Sequence, residues 1–580
     1  MAHGLTDWIL TLLITTPLAG ATAIALLRGT SDDRVRRQAL GWALVTLVLA
    51  LAVVVLFYQG TPADASAGWK AGQFLLDQKL AWLSHSGSAG GVDLAYHVGI
   101  DGVSLWLVVL AALLAPLAVW ASFGGIRERV REYYALLLLL EAGMLGVFCA
   151  RDLLLFYVFF EFTLIPLYFI IGIWGGPDRR RAAATFFVYT LTGSVLVFAG
   201  VLYLAFAASE SPAVGRFTFD LNTLYGVGAG LPLATQRCLL VALAAGFAIK
   251  VPLFPLHTWL PLTYGEAPTA GTVLLAGVLS KLGTYGFLRI VLPVLPAATT
   301  ESAPLIADLA IAGILYAALI AWVQTDIKRL VAYSSISHLG FLVLGLFSLK
   351  MAGLTGSLLG MVNHGLATGA LFLLVGMIDE RCGTRQINEL GGLARRMPWL
   401  AFFLVLFTLS TIGLPGLNGF VSEFLVLLGT FASQAESDRL PGGPLGPAFA
   451  IPAALSVVLG AIYMLWLCER VLFGPAKEGA DSATGTASTR RDLGRREIAI
   501  LAPVAVLCVV LGVWPKPMIQ SMQAGLTTQI VAHVHDVSLP ATADSCDSSE
   551  DEPLLVGSDG RKSKQPFGRP AGDPGRMPPR

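Results

Sequence analysis

Seven ionisable side chains stand inside stretches that are otherwise apolar. Glu161 interrupts Phe156-Tyr157-Val158-Phe159-Phe160-Glu161-Phe162-Thr163-Leu164-Ile165-Pro166, and Lys250 opens Lys250-Val251-Pro252-Leu253-Phe254-Pro255. Lys281 lies in Leu279-Ser280-Lys281-Leu282-Gly283-Thr284-Tyr285, His338 and His364 occupy later apolar runs, and Glu423 follows Gly413-Leu414-Pro415-Gly416-Leu417-Asn418-Gly419-Phe420. Glu141, in a leucine-rich run, is a secondary member of the set. Left unpaired in hydrocarbon, each charge costs kilocalories, so each is neutralised, ion-paired or turned toward water. Carboxyl, amine and imidazole groups are also the groups that take up and release protons. Together they read as a proton path, with Glu161 paired to Lys250, Lys281 as the next deep base and Glu423 last. Other readings stay open: an intramembrane charge can be a structural ion pair, and a histidine can be a hydrogen-bonding link between helices. Asp379, Glu380 and Arg381 fall at a helix end and read as solvated charges.

The elements that must hold these groups follow from composition. Apolar residues make up 55% of the chain and charged ones 13%, and the mean hydropathy is +0.71, outside the range of soluble globular chains. Apolar runs of roughly 20 residues, the length of a membrane-crossing helix, recur between short polar or Gly/Pro-rich segments. Strand alternation is absent, which argues against a barrel. The expected architecture is an all-α polytopic membrane protein with about fourteen transmembrane helices, among them spans near 153–174, 236–257, 267–293 and 399–433.

Loop charge gives the expected orientation. Loops on one side carry 22 Lys and Arg, among them Arg127, Arg129, Arg131, Arg179, Arg180 and Arg181, against six on the other: Lys70, Lys79, Arg151, Arg216, Lys350 and Arg439. The positive-inside rule then places the N-terminus outside the cytoplasm. The tail beyond about Val537 holds six basic residues, a mild conflict with an outside C-terminus, and its composition predicts disorder. No Lys or Arg precedes the first apolar run, so a cleavable signal is not expected.

Two spans are interrupted, at 248–255 and 411–420, where prolines and glycines break the backbone ladder. Broken helices at matching places in two halves mark inverted-repeat transporters, and non-helical backbone at such depth is tolerated only beside protein or water. The expected organisation is 1–132 with helices 1–3, 133–293 as a first inverted five-helix repeat (helices 4–8), 304–473 as a second (helices 9–13), 474–535 with helix 14, and a tail at 536–580. Basic residues sit in loops without interleaved aromatics, so nucleic acid is set aside. The six cysteines (Cys149, Cys238, Cys382, Cys468, Cys508, Cys546) are scattered singly, without metal-cluster spacing.

Four strings carry a resemblance: Phe160 to Gly176, Lys250 to Pro261, Glu266 to Gly286, and Asp326 to Gly340. In order and at length they resemble the proton-pumping subunit M (chain 4) family of NADH-quinone oxidoreductase, respiratory complex I, over about residues 93 to 475. The resemblance implies an antiporter-like membrane-arm subunit of a bacterial-type inner membrane, with other membrane-arm subunits, lipid and protons as partners. It implies no redox centre on this chain, with FMN, iron–sulfur clusters and quinone on partner subunits. By family motif, Glu161 and Lys250 would be the coupled ion pair and Lys281 the central relay. His338 and His364 would connect half-channels, and Glu423 would be the terminal exchange group. Subunits of Mrp-type cation/proton antiporters and of proton-pumping membrane-bound hydrogenases share these motifs and are the alternative. One departure stands out: Leu262-Thr263-Tyr264 replaces the family's usual Asp-Ala-His.

Overall fold

The computed structural model describes residues 8–26, 29–59, 74–85, 91–435, 443–473, 475 and 491–528. The tail expected at 536–580 lies outside them. The chain opens with helices α1 (Ile9–Leu26) and α2 (Asp32–Gln59), then an antiparallel hairpin, β1 (Leu75–His85) and β2 (Gly91–Ile100), before α3 (Leu105–Ala121). Sequence alternation misses this hairpin because register shifts between Leu75 and Gln78, and between Ala81 and Leu83, break the period of two. A short β3 (Arg216–Thr218) pairs with β2 in parallel.

Five spans follow: α4 (Val130–Cys149), α5 (Leu153–Trp174), α6 (Arg179–Glu210), α8 (Leu233–Lys250) continued by α9 (Trp259–Glu266), and α10 (Thr269–Val294), with a short α7 (Leu221–Ala229) between the third and fourth. A second set of five comprises α11 (Pro296–Trp322), α12 (Ile327–Phe347), α13 (Met351–Cys382), α15 (Pro398–Thr411) continued by α16 (Asn418–Phe431), and α17 (Pro447–Phe473), with α14 (Leu393–Arg396) a single turn before α15. α18 (Arg495–Val513) is the last long apolar helix, and α19 (Lys516–Leu526) packs back on α3, where the Trp106 indole donates to Ser521 Oγ at 2.8 Å. Twelve of these helices are long and apolar enough to cross a membrane, and α3 and the α15–α16 pair bring the spans to fourteen. The first member of the second set begins eight residues earlier than the sequence boundary at 304, because Pro296 starts the helix and Pro304 is carried inside it.

The two sets repeat a local clasp. Ahead of α5, Leu153 N donates to Phe219 O and Leu221 N to Arg151 O; ahead of α12, Ile327 N donates to Arg385 O and Ile387 N to Thr325 O. In both, an aspartate caps the helix: Asp152 Oδ1 accepts from Leu154 and Leu155, Asp326 Oδ1 from Lys328 and Arg329. Each set thus ties the entry of its second helix to the segment beyond its third. Five crossings separate the clasps, an odd number, which puts them at opposite ends of the bundle.

Both expected breaks occur. α8 stops at Lys250 and helix resumes at Trp259; α15 stops at Thr411 and helix resumes at Asn418. They fall in the fourth member of each set. α10, wholly buried across its apolar window, contains two widened π-turns, Leu275–Leu279 and Phe287–Val291, and Lys281 stands two residues past the first.

Candidate functional site

Lys250 is the last residue of α8, where the helix's exposed carbonyls favour a cation. The ammonium is buried, donates to Phe160 O at 3.0 Å and to Thr163 Oγ1 at 3.5 Å, and lies 3.4 Å from the Phe160 ring centroid. The expected Glu161–Lys250 ion pair is not closed in this structure: the ammonium holds the neighbours of Glu161 in the chain instead. Glu161 still feels its charge, with Ser194 beside the carboxylate, and Glu161 Oε1 is buried without a hydrogen-bond partner. An aromatic face and a carbonyl satisfy the amine while the carboxylate stands free next door.

The second half of the predicted set is contiguous. Lys281 is fully buried, and its Nζ lies 2.6 Å from His364 Nδ1 and 3.3 Å from Ser280 Oγ, and also donates to the carbonyl of Ala276 within the π-turn. The rings of His364 and His338 are 5.9 Å apart, and His338 Nδ1 is 3.2 Å from Glu423 Oε1. An amine, two imidazoles and a carboxylate from α10, α13, α12 and α16 therefore form one lateral line. Beside it lies a cavity of about 40 Å³ lined by His338, His364, Asn363, Ser410, Ser422 and Glu423, among others. Three atoms of its lining residues are buried without partners: His364 Nε2, His338 Nε2 and Asn363 Oδ1. At roughly 10–15 Å³ per water, the cavity has room for about three.

The second helix break positions the last member. Gly413 takes φ +73° and an added Cβ would lie 2.7 Å from Glu423 Oε2, so the carboxylate rests directly on the backbone of the break. Asn363 Nδ2 donates to Asn418 O at 2.7 Å and to Ser422 Oγ at 3.2 Å, tying α13 to the resumed helix.

Glu141 is fully buried with neither carboxyl oxygen partnered, and it joins neither group. At the departure from the family pattern, Tyr264 is buried with its phenol beside Ser280, whose hydroxyl the Lys281 ammonium also contacts. Arg381 is not the solvated charge expected: its Nη2 is 2.5 Å from Glu497 Oε2, both side chains largely buried, because α18 packs over the end of α13.

Several charged groups escaped the sequence reading. Arg289 and Asp101 form a pair at 2.6 Å, with side chains 1% and 2% exposed. Lys328 is buried, its ammonium donating to Gly265 O and Ala267 O at the end of α9. On the hairpin, Asp77 accepts from Arg151 at 2.7 Å and lies 2.9 Å from His97 Nε2. Partial burial pushes the Asp77 carboxyl up, but the hydrogen bonds and charges of His97 and Arg151 outweigh it and hold the group below the ordinary carboxylate range. The available signal was charge within an apolar span: Arg289 stands eight residues beyond Lys281 in the same one.

Comparison with known proteins follows the same lines. The family described as NADH:quinone oxidoreductase/Mrp antiporter, TM matches residues 150–436. NADH-quinone oxidoreductase subunit M of Rhodobacter capsulatus is 38% identical over 535 residues, covering 91% of this chain and 96% of the relative. A chain of respiratory complex I from Thermus thermophilus with bound NADH superposes with a TM-score of 0.75 at 31% identity, over 90% of this chain and 99% of that one. A chain of the Mrp complex from a Dietzia species shares the fold, with a TM-score of 0.72 at 23% identity, over 90% of this chain and 52% of that one.

Proposed function

The chain belongs to the subunit M (chain 4) family of NADH-quinone oxidoreductase, and from that premise we propose that it carries protons across the membrane arm of such a complex through Glu161, Lys250, Lys281, His364, His338 and Glu423. The observation that carries the reading is the alignment of Lys281, His364, His338 and Glu423, brought together from four separate helices.

The hydrogen bonding gives the line a direction. The ammonium of Lys281 donates to His364 Nδ1, so a neutral His364 holds its proton on Nε2, the atom turned to the cavity. With His338 Nδ1 3.2 Å from Glu423 Oε1, a neutral His338 that carries its proton there leaves Nε2, also unpartnered, as the acceptor. One water between the two Nε2 atoms completes a wire in which Lys281 protonates His364, His364 releases its other proton through the water to His338, and His338 passes its Nδ1 proton to Glu423. Every donor faces an acceptor.

Magnitude sets what the carriers must do. Moving a proton against about 150–200 mV costs roughly 3.5–4.6 kcal/mol, roughly 400- to 2,500-fold in proton affinity. Gain or loss of an opposite charge within a few ångströms of a buried amine is of that size. In this cycle, closing Glu161 onto Lys250 holds Lys250 charged and releases the proton on Lys281, and the open pair described above is the reset state. The matching clasps and breaks support an inverted relation between the two five-helix sets, within boundaries near 133–293 and 304–473. Loop charge supports an N-terminus outside the cytoplasm of a bacterial-type inner membrane. FMN, iron–sulfur clusters and quinone belong, in this reading, to partner subunits.

The test is Glu161→Gln in the assembled complex in proteoliposomes. NADH oxidation with an artificial acceptor should persist while coupled acidification is lost. Normal proton pumping by that variant refutes the assignment.

A further inference from the structure

Arg289 stands on the same helix as Lys281, about 12 Å further toward the hairpin-covered end at 1.5 Å per residue. Between them stand Thr284 and Tyr285, among the apolar side chains of Leu282, Phe287 and Leu288. Tyr285 donates its hydroxyl proton to Phe148 O at 3.3 Å, and the Tyr285 hydroxyl oxygen accepts from Arg289 Nε at 3.2 Å. Arg289 Nη2 then donates to Asp101 Oδ1, which also accepts from Val103 N, Ser104 N and Ser104 Oγ at 3.0–3.1 Å. Tyr225 donates to Arg289 O at 3.0 Å. Beyond lies the ring of Phe74, 5.2 Å from the Arg289 guanidinium and 3.8 Å from that of Arg151, which is paired with Asp77. Arg289 Nη1, Asp101 Oδ2 and His97 Nδ1 are buried without partners.

Polar contacts therefore run from Tyr285, one turn past the central amine on the same helix, toward the end of the bundle that the hairpin covers, and one residue among them cannot relay a proton. A guanidinium stays charged throughout the accessible pH range and has no acceptor atom. Arginine set in a polar passage excludes protons in channels by that means. Val103 N, Ser104 N and Ser104 Oγ fix Asp101 Oδ1, which accepts from Arg289 Nη2 while the Tyr285 hydroxyl accepts from Nε, so the guanidinium is held from two sides.

We propose that the Asp101–Arg289 pair is an outward proton seal, which denies the proton on Lys281 a direct exit and leaves His364 as its only outlet. The proposal rests on Lys281 being the central carrier. It gives a role to a fully buried ion pair that stands two turns past the central amine on the same helix.

The test uses the assembled oxidoreductase in proteoliposomes, read by a pH-sensitive dye in two ways: passive proton leak down an imposed gradient without NADH, and protons moved per NADH in turnover. Arg289→Gln should raise passive leak several-fold and lower protons per NADH. The double variant Asp101→Leu with Arg289→Leu, which closes the track with apolar volume, should return the leak to the parent level. Arg289→Lys keeps the charge and most of the packing but supplies an amine that can release its proton, and it should leak measurably if Arg289→Gln does not assemble. A parent-level leak with reduced pumping would make the pair an outlet, and a parent-level leak with normal pumping would make it structural; either overturns the seal. Passive leak needs no turnover, so its outcome is separate from that of Glu161→Gln.

Discussion

Replacing Gly413 with alanine puts a methyl group 2.7 Å from Glu423 Oε2, at a backbone φ of +73°. Ordinary contact for an added Cβ begins at 3.4 Å, so the carboxylate must retreat by about 0.7 Å. It is the free end of a flexible side chain, and the retreat itself costs little stability. Position is what is lost: Glu423 Oε1 is 3.2 Å from His338 Nδ1, and a retreat along that line takes the separation to about 3.9 Å, beyond hydrogen-bond reach. The hydrogen bond to a charged group that the last transfer must form there is worth about 1.5–3 kcal/mol, so that transfer should slow by roughly 10- to 150-fold. The left-handed backbone adds about 1–2 kcal/mol of strain, a cost Gly416→Ala shares, since Gly416 has φ +95° and nothing within 4 Å of an added Cβ. The paired variants separate strain from displacement. Protons pumped per NADH, measured on equal amounts of assembled complex, should fall for Gly413→Ala and stay near parent for Gly416→Ala. Equal losses in both, or none in Gly413→Ala, refute the claim that the glycine seats the carboxylate.

Other variants probe the rest of the line. His364→Leu removes the atom that receives the Lys281 proton and leaves a gap toward His338, so transfer should fall by about 10²–10⁴, the usual worth of a positioned acid–base group; near-parent pumping would mean that water bypasses the ring. Glu423→Ala acts at the end of the line, where the cavity lets water substitute, so its loss in acidification rate should be the smaller of the two. Tyr264→Phe removes only the oxygen beside Ser280; at about 0.5–1.5 kcal/mol for a neutral hydrogen bond, Lys281-dependent pumping should change by roughly 2- to 10-fold, and no change would assign the phenol to packing alone.

What sequence made legible was chemistry written locally. Lys250 and its break were readable because the charge and two prolines fall within six residues, and the Gly413–Gly416 break for the same reason. The partners were not. Lys281 meets His364 across 83 positions and Arg289 meets Asp101 across 188, and no spacing rule spans such distances. The Glu161–Lys250 pairing shows a different limit. Residue type identified both groups, but the geometry was decided by a third party, since the carbonyl and ring of Phe160 satisfy the amine without the carboxylate. Clasp bonds from 151–153 to 219–221, and again from 325–327 to 385–387, lie in short polar loops whose pairing only the packed helices reveal.

The polarity of the wire carries a consequence of its own. After one proton passes, His364 holds its proton on Nδ1 and His338 holds its proton on Nε2, the reverse of the starting arrangement. A reloaded Lys281 ammonium then faces a donor, and two donors at 2.6 Å repel. The next proton is held until both rings turn over or shed and regain protons through water, and only the cavity beside them gives the room. The line thus passes one proton per reset whatever the driving force, so variants that fill the cavity without touching a titratable group, such as Ala367→Leu on its wall, should slow turnover of the reset while leaving the first transfer intact. A single-turnover measurement of proton release, compared with the steady-state rate, distinguishes the two: an equal drop in both would mean that the rings need no reset.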